Sequence, residues 1–562
     1  MAKEIKINET LELVKKNFQG AQKFRASKEQ KWNTYYSLYR AFLDTGRFPW
    51  RSNVFIPYCF WTIETIVPRL IATQPTLLFT GREETDEAKA KTLEQLIKWE
   101  WRELQLDQSL EDLTREGLKY GTSFLKVGWE EEKQMPEVEN VDILDLYIDP
   151  QATSFYNAEF VIFRTFRTIE DLKKNKKYKN LNLLEGLTKE SQDGGKGQRY
   201  SIQSMPEPLS VATKSSDKLE ILEYWTKDKL IVVAAQKVIL RDDPNPFEDK
   251  EIPFVVFYDY PVSFELYGIG EIEHLETTQD EANSLRNQVL DANNLIINPM
   301  YEVDPMSSVN VRNIVSKPGA ILPKGIKPTQ QPILPASVFN LLDRFSNDIQ
   351  QTTGVTDYQM GGESMGGNLN QTATGINLIQ EAGNMRFKLK MRHLEDAIQR
   401  LGRLLVSRNQ QLMTEEKTVR VIGKEGVEWS KINPADIKGN FDIVPEAGST
   451  QPINKEAEKA QFSVLIRQLI ELNGLALQSP ASMLNFYEVG KRLLDKYDIK
   501  ESEELWKQLP PPAPMGMGGQ PQDEVDQMMR ELSPEQVDEQ MGQMAPDEQQ
   551  ILSQEILKRV GG

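Results

Sequence analysis

Apolar residues recur at helical spacing on both sides of a strand-rich stretch. Over residues 1–45, Trp32, Tyr35, Tyr36, Leu38 and Tyr39 give one apolar helix face, which "DTGRFPWRSN" ends with Gly and Pro. A second helix is predicted over 53–74. A helical pair over 84–120 carries many acid–base partners three or four residues apart. The period then changes. "SFLKVGWEEE" and "VENVDILDLYIDP" alternate apolar and polar residues as half-buried strands do, and "FVIFRTFRT" continues the pattern. A short basic helix over 169–178 and a polar loop follow. Strands resume in "LEILEYWTKDKLIVVAAQKVILRDD", with "KDK" as a hairpin tip, and the region closes with "IPFVVFYDYP" near residue 262.

Beyond it lies a long helix over 268–299, with Ile272, Leu275, Ala282, Leu285, Val289, Ala292 and Ile296 as its stripe and Asn298-Pro299 as its stop. Residues 300–335 are rich in Pro and β-formers and read as a small β module. Helix returns at 336–352. The stretch 361–376, "GGESMGGNLNQTATGI", is polar and glycine-rich, with Glu363 its one charge. It leads into a helix over 374–413, about 60 Å long at the usual rise, whose packing stripe is Leu394, Ile398, Leu401 and Leu405. Strands over 417–448 rejoin the earlier α+β region, and residues 453–508 are helical. The fold class is therefore α+β, mainly helical. A length of 562 residues suggests roughly three to four domains.

Composition narrows the function. A net charge of −17 argues against tight binding of nucleic acid by a single copy, because phosphate affinity comes from Lys and Arg. The long helices differ in sign. Residues 268–299 hold six acids and one base, whereas 377–413 hold three acids and seven bases, Arg386, Lys388, Lys390, Arg392, Arg400, Arg403 and Arg408. Two surfaces of opposite charge are expected. Residues 510–562 carry ten acids against three bases in a Met- and Gln-rich setting, the composition of a flexible tail. The single cysteine, Cys59, lies among aromatics, so a buried, inert thiol in a reducing compartment is expected. No signal peptide and no membrane span are expected, since Glu64, Pro68 and Arg69 interrupt the most apolar stretch.

Catalytic motifs fail on spacing. "GGKGQ" and "GKEG" lack the spacing and hydroxyl of a phosphate-binding loop, so no nucleotide or other cofactor is expected. His274 and His393, the two histidines, have no second ligand at zinc-site spacing. Asp142, Asp145 and Asp149 allow a metal-dependent nuclease as a rival reading, although on a strand Asp145 and Asp149 share a face that Asp142 does not. A non-viral helical scaffold that assembles partners is the other rival. The leading reading is not an enzyme.

The order of elements, and in particular "WRSNVFIPYCFWTIETIVPRL", "YGIGEIEHLETTQDEANSLRNQVLD", "NPMYEVDP", "KPGAIL" and "TTGVTDYQMGG…NQTATGINLI", resembles the portal proteins (head-to-tail connectors) of tailed bacteriophages. The resemblance implies a portal-type subunit in a ring, usually dodecameric, at the unique capsid vertex of the virion. Assembly would take place in the host cytoplasm. Carried over by position, 1–267 and 414–450 form the wing, 268–298 and 336–353 the stem, and 299–335 the clip. A tunnel loop spans 354–375, a long wing helix 376–413, a crown 451–508 and the tail 509–562. Gly361, Gly362, Ser364, Gly366, Gly367, Asn368, Asn370, Gln371 and Thr372 would form the DNA-facing loop. Glu273, Glu276, Asp280 and Arg286 would line the channel, and Tyr301, Arg312, Lys317 and Lys324 would meet the adaptor. The implied partners are further copies of the chain, the major capsid protein, the terminase large subunit, the head–tail adaptor, scaffold or internal proteins, and double-stranded DNA in transit.

Overall fold

The computed structural model describes residues 2–42, 51–71, 75, 77–83, 86–184, 218–298, 300–304, 306, 326–329, 334–355, 373–423, 426–445, 464 and 467. The chain divides into two compact units, 1–452 and 453–562, and the described residues lie almost wholly in the first. The predicted tail, the predicted crown apart from residues 464 and 467, the glycine-rich stretch 361–372 and most of the predicted clip lie outside the described residues.

Helix α1 spans Ala2–Tyr39 and helix α2 Tyr58–Leu70. Strand β1, Leu77–Gly81, precedes α3, Glu87–Glu103, and α4, Leu106–Tyr120. The predicted helical pair breaks at Gln105, whose φ of 51° reverses the chain in one residue. Helix α4 stops at Gly121, a left-handed C-cap (φ 83°) whose N–H bonds the Gly117 carbonyl at 2.7 Å. Strands β2 (Thr122–Glu130), β3 (Met135–Val141), β4 (Leu146–Ile148) and β5 (Val161–Thr168) follow, then α5, Ile169–Lys174. Helix α5 is shorter than predicted because Asn175 leaves helical conformation at ψ 106°. Next come β6 (Lys218–Trp225), β7 (Lys229–Ala234), β8 (Val238–Pro244) and β9 (Phe254–Tyr258). The long helix α6, Glu271–Ile297, leads to β10 (Tyr301–Val303), which pairs antiparallel with β11 (Ile326–Pro328). Helix α7, Ala336–Thr353, returns along α6. Helix α8 runs Ala373–Leu412, and β12 (Lys417–Gly423), β13 (Gly426–Ile432) and β14 (Phe441–Pro445) complete the unit.

Two antiparallel sheets organise the core, β3-β2-β9 and β4-β5-β6-β7-β8. The sequence predicts half-buried strands, but the start of β2, the first half of β5 and most of β6 and β7 are buried on both faces. The cause is α1. Its Val14, Phe18 and Ala21 cover one face of the five-stranded sheet at Tyr147, Ile162, Leu222 and Val233. The opposite face, with Val161, Phe163, Ile221 and Val232, belongs to the main core shared with α2, α3, α4 and α8. Arg25 of α1 is buried over the Tyr147 ring at 3.6 Å and donates to the carbonyls of Ile143, Leu144 and Leu146. As predicted, the C-terminal strands rejoin this body: β14 pairs with β1 across more than 350 residues of sequence, Phe79 facing Ile443.

Three further expectations are corrected. The predicted helix 53–74 is helical only from Tyr58. Residues 51–57 are an extended strap, which Pro57 separates from α2. The acids 142, 145 and 149 do not share one strand. Asp142 caps the Leu144 N–H at 3.0 Å, Asp145 pairs with Arg164 at 3.1 Å, and Asp149 accepts from Gln151 N at 3.0 Å. Each caps a turn or pairs with a cation, and no cluster of metal-ligating side chains occurs among the described residues. Last, the seven bases of α8 do not form one surface. Lys390 and Arg408 are buried, Arg400 pairs with Glu251 at 2.9 Å, and Lys388, Arg392 and Arg403 are exposed. Arg408 lies 3.4 Å over the Phe247 ring and pairs with Asp249 at 2.6 Å, since a cation in the core needs both neutralisation and contact.

Candidate functional site

Two of the stretches that carry the family likeness, the one over residues 50–70 and helix α6, meet in the structure. Seven positions, Ile272 to Ile296, were expected to form the packing stripe of α6. Ile272, Leu275, Ala282 and Val289 are buried, whereas Leu285, Ala292 and Ile296 are only half-buried. The rest of the buried face is polar. Gln279, Asn283 and Asn287 are at most 5% exposed and stand one helical turn apart, followed by Asp291. They hold the strap by its backbone. Asp291 accepts from Ser52 N at 2.6 Å, Asn287 from Val54 N at 2.7 Å, Asn283 from Ile56 N at 3.0 Å and Gln279 from Cys59 N at 3.2 Å. The amides also donate. Asn287 gives to the Val54 carbonyl at 3.0 Å and Gln279 to the Ile56 carbonyl at 2.6 Å.

The strap thus behaves as a β-strand whose partner is a row of side chains, with alternate residues 52, 54 and 56 bonded inward. Gln279 also caps α2, because the Cys59 N–H is one of the donors that a helix start leaves without an internal partner. Cys59 is fully buried and burial pushes its thiol up to about 12, as befits an inert residue.

The start of α6 is fixed by close backbone approach. A Cβ on Gly270 would stand 2.7 Å from Gly121 N and from the Leu118 carbonyl oxygen, so the end of α4 and the start of α6 touch backbone to backbone. Thr122 Oγ1 accepts from Gly268 N at 2.9 Å, and Tyr260 and Ile269 form an isolated β-bridge. Behind this junction is a buried charge cluster. Lys390 of α8 pairs with Asp259, just after β9, and with Glu271 in the first turn of α6 at 2.7 Å. All three are at most 2% exposed. Tyr260 donates to Glu271 at 3.1 Å, and its ring lies 3.7 Å from the Lys390 ammonium. Burial raises the Asp259 carboxyl well above the usual carboxylate range, with Glu271 adding and Lys390 opposing. One ammonium therefore ties the sheet, α6 and α8 together.

The two histidines flank this cluster. His393 Nδ1 is 3.2 Å from the Asp259 carbonyl oxygen, and His274 stands edge-on to the Tyr260 ring. Both fit the structural roles that the sequence leaves for them.

Of the four acids and bases expected along a channel, Glu273 is 3.6 Å from Lys31 of α1. Glu276 is half-buried, and its charge acts on Tyr35 and Cys59. Asp280 and Arg286 are exposed. Tyr301, in β10, is 38% exposed, while Arg312, Lys317 and Lys324 lie outside the described residues. Around the far end of α6 and the start of α7 the chain exposes Leu295, Ile297, Met300 and Phe339, with Ile297 at 73%. Sequence reasoning missed the amide row and the charge cluster. Among the described residues no helix is long and apolar enough to cross a membrane.

Compared with known families, the chain matches the model of the family described as Phage SU10 portal protein over residues 130–550. The match takes in α6, the charge cluster and α8, and the strap lies ahead of it.

Proposed function

The chain belongs to the Phage SU10 portal protein family, and from that premise we propose that its copies close into a dodecameric ring at the unique vertex of a capsid. Family membership makes it a tailed-phage portal protein and a component of the virion. The ring is the channel for DNA packaging and ejection. It contacts the major capsid protein, and scaffold or internal proteins during assembly in the host cytoplasm. Its clip, 299–335, docks the terminase large subunit and later the head–tail adaptor through Tyr301, Arg312, Lys317 and Lys324. The wing, stem, crown and tail keep the boundaries that the resemblance implies.

The observation that carries the reading is the apolar end of the α6–α7 pair. Leu295, Ile297, Met300 and Phe339 are exposed in one copy. Apolar residues concentrated at one end of a helical pair are the mark of a face that another chain covers. Neighbouring stems around an axis would cover it through a heterologous contact that closes.

DNA in transit must slide without pausing, and each lysine or arginine on a phosphate releases counterions and strengthens binding. Glu273, Glu276, Asp280 and Arg286 would leave the stem lining mostly acidic. Residues 361–372 would meet the DNA backbone with amide, hydroxyl and glycine groups, whose bonds to phosphate are weak and exchangeable. The energy for packaging would come from the terminase.

Electron microscopy of the purified protein tests the ring. Closed particles with a bore wide enough for duplex DNA, about 20 Å or more, are expected. A protein that remains monomeric at micromolar concentration would overturn the reading.

A further inference from the structure

Helix α8 has two faces with different surroundings. Its Leu394 and Ile398 form part of the floor of an open groove of about 600 Å³, together with Leu70 of α2 and Leu110 of α4. Asp107, Glu111 and Asp112 line the groove against one cation, Arg115. That cation is already shared by Glu64, Glu111 and Asp112, so the groove keeps an excess of negative charge over an apolar floor.

The other face of α8 carries the complement. Leu389 is 54% exposed, and Lys388 and Arg392 beside it are exposed with no ion pair among the described residues. At about 100° per residue, Leu389 lies about 140° around the helix from Leu394 and about 180° from Ile398. An apolar knob flanked by two bases therefore sits opposite an apolar hole rimmed by acids.

A knob and a hole on different faces of one helix cannot satisfy each other within a copy. Nor do they make an isologous pair, which joins a patch to itself. They suit a head-to-tail contact, the kind that closes a ring. Copies that each carry a net charge of −17 also repel, and an interface that sets bases against acids lowers that repulsion where the copies touch.

We propose that Leu389 of one copy inserts into the α2–α4–α8 groove of the next, with Lys388 and Arg392 against Glu111 and Asp112. This deepens the ring reading and rests on it. The occupant is a second copy of the chain.

The test uses the full chain and reads assembly by native mass measurement over a concentration series. The variants Lys388→Glu/Arg392→Glu and Glu111→Lys/Asp112→Lys should each raise the half-assembly concentration about ten-fold or more. The chain carrying all four substitutions should recover most of that loss, because the charges are exchanged and not removed. Melting curves of each variant separate an interface effect from misfolding.

A cysteine pair supplies an independent measurement. With Gln108→Cys and Leu389→Cys in one chain, oxidation should give a ladder of linked copies on a denaturing gel, whereas either cysteine alone should stop at dimers. Rings that form normally in both charge-reversed variants, or a cysteine pair that yields no ladder, would overturn the contact and leave the ring reading intact. A wild-type chain that never assembles would overturn both.

Discussion

Replacing Asn287 by Leu isolates the energetics of the amide row. Asn287 is 3% exposed, accepts from Val54 N at 2.7 Å and donates to the Val54 carbonyl at 3.0 Å. Leucine keeps the approximate volume and improves intrinsic helix propensity by about 0.5 kcal/mol. Against that, two hydrogen bonds to the strap are lost, worth about 1 kcal/mol each net. Val54 is half-exposed, so water recovers part of the loss at its carbonyl. The net cost is about 1.5 kcal/mol, confined to the strap, because α6 keeps its apolar contacts through Ile272, Leu275 and Val289. Native-state hydrogen exchange reads this directly. The amides of Val54 and Ile56 should exchange about ten-fold faster, since a 1.4 kcal/mol change in opening is about ten-fold in rate, while those of α4 and β2 keep their protection. Gln288→Leu, on the exposed face of the same helix, is the control and should leave the strap unchanged. If Val54 and Ile56 exchange as in the wild type, the strap is held by something other than the amide row.

Two other consequences follow from buried charge. Lys390→Met strands Asp259 and Glu271 without their cation and should cost about 3–5 kcal/mol in denaturant unfolding, and adding Asp259→Asn should return part of it. Undiminished stability in the single variant would show that the cluster is not a charge pair in solution. Glu100 of α3 is fully buried, accepts from Asn409 at 2.7 Å and lies 3.4 Å from Lys417 of β12. Burial pushes its carboxyl up to about 7 from an ordinary 4.5, against the pull of Lys417 and Asn409. A raised carboxyl contributes stability that is complete below its ordinary pKa and is lost as pH rises through the folded one. The wild type should therefore lose up to about 3 kcal/mol relative to Glu100→Gln between pH 4.5 and 7, and parallel pH profiles of the two proteins would refute the assignment.

The legible parts of the sequence were those where one period runs long. Helix α8 reads correctly over 40 residues because Leu394, Ile398, Leu401 and Leu405 repeat without interruption. The strap does not, because Val54, Phe55 and Ile56 are as apolar as the helix that follows them, and period alone does not separate a short apolar strand from a helix. Its partner left a mark that an apolar count ignores: Gln279, Asn283, Asn287 and Asp291, one per turn. The buried cations were equally visible. Lys390 stands one turn before Leu394, and Arg408 three residues after Leu405, so both occupy stripe positions and not surface ones. Counting charge along a helix hides this, whereas counting it by face shows it. Residues 361–372 carry composition but no period, and no spacing argument positions a segment of that kind.

The amide row also explains why α6 has a defined register where an apolar stripe alone would not. Apolar side chains interdigitate almost as well after a shift of one turn, and the middle amides of the row, themselves one turn apart, would partly re-pair. The ends hold the register, because such a slip leaves either Ser52 N or Cys59 N facing a leucine. Two residues of strand rise about 6.7 Å and four of helix about 6.0 Å, so strap and helix drift by less than 1 Å per rung. Over the rungs from Ser52 to Ile56 that drift stays near 1.5 Å, within the reach of an asparagine side chain. At the next rung the strap turns into α2, and there the longer Gln279 reaches Cys59 N and the Ile56 carbonyl together. The row thus ends where the two periods part. At its other end Asp291 is followed by Asn294, whose Nδ2 donates to Ser52 Oγ at 3.4 Å, and beyond these anchors the last turn of α6 carries Leu295 and Ile297 exposed. Anchoring along the strap and the packing of α7 hold the helix from within the chain, and the apolar side chains left exposed at its tip are the ones that the proposed ring would cover.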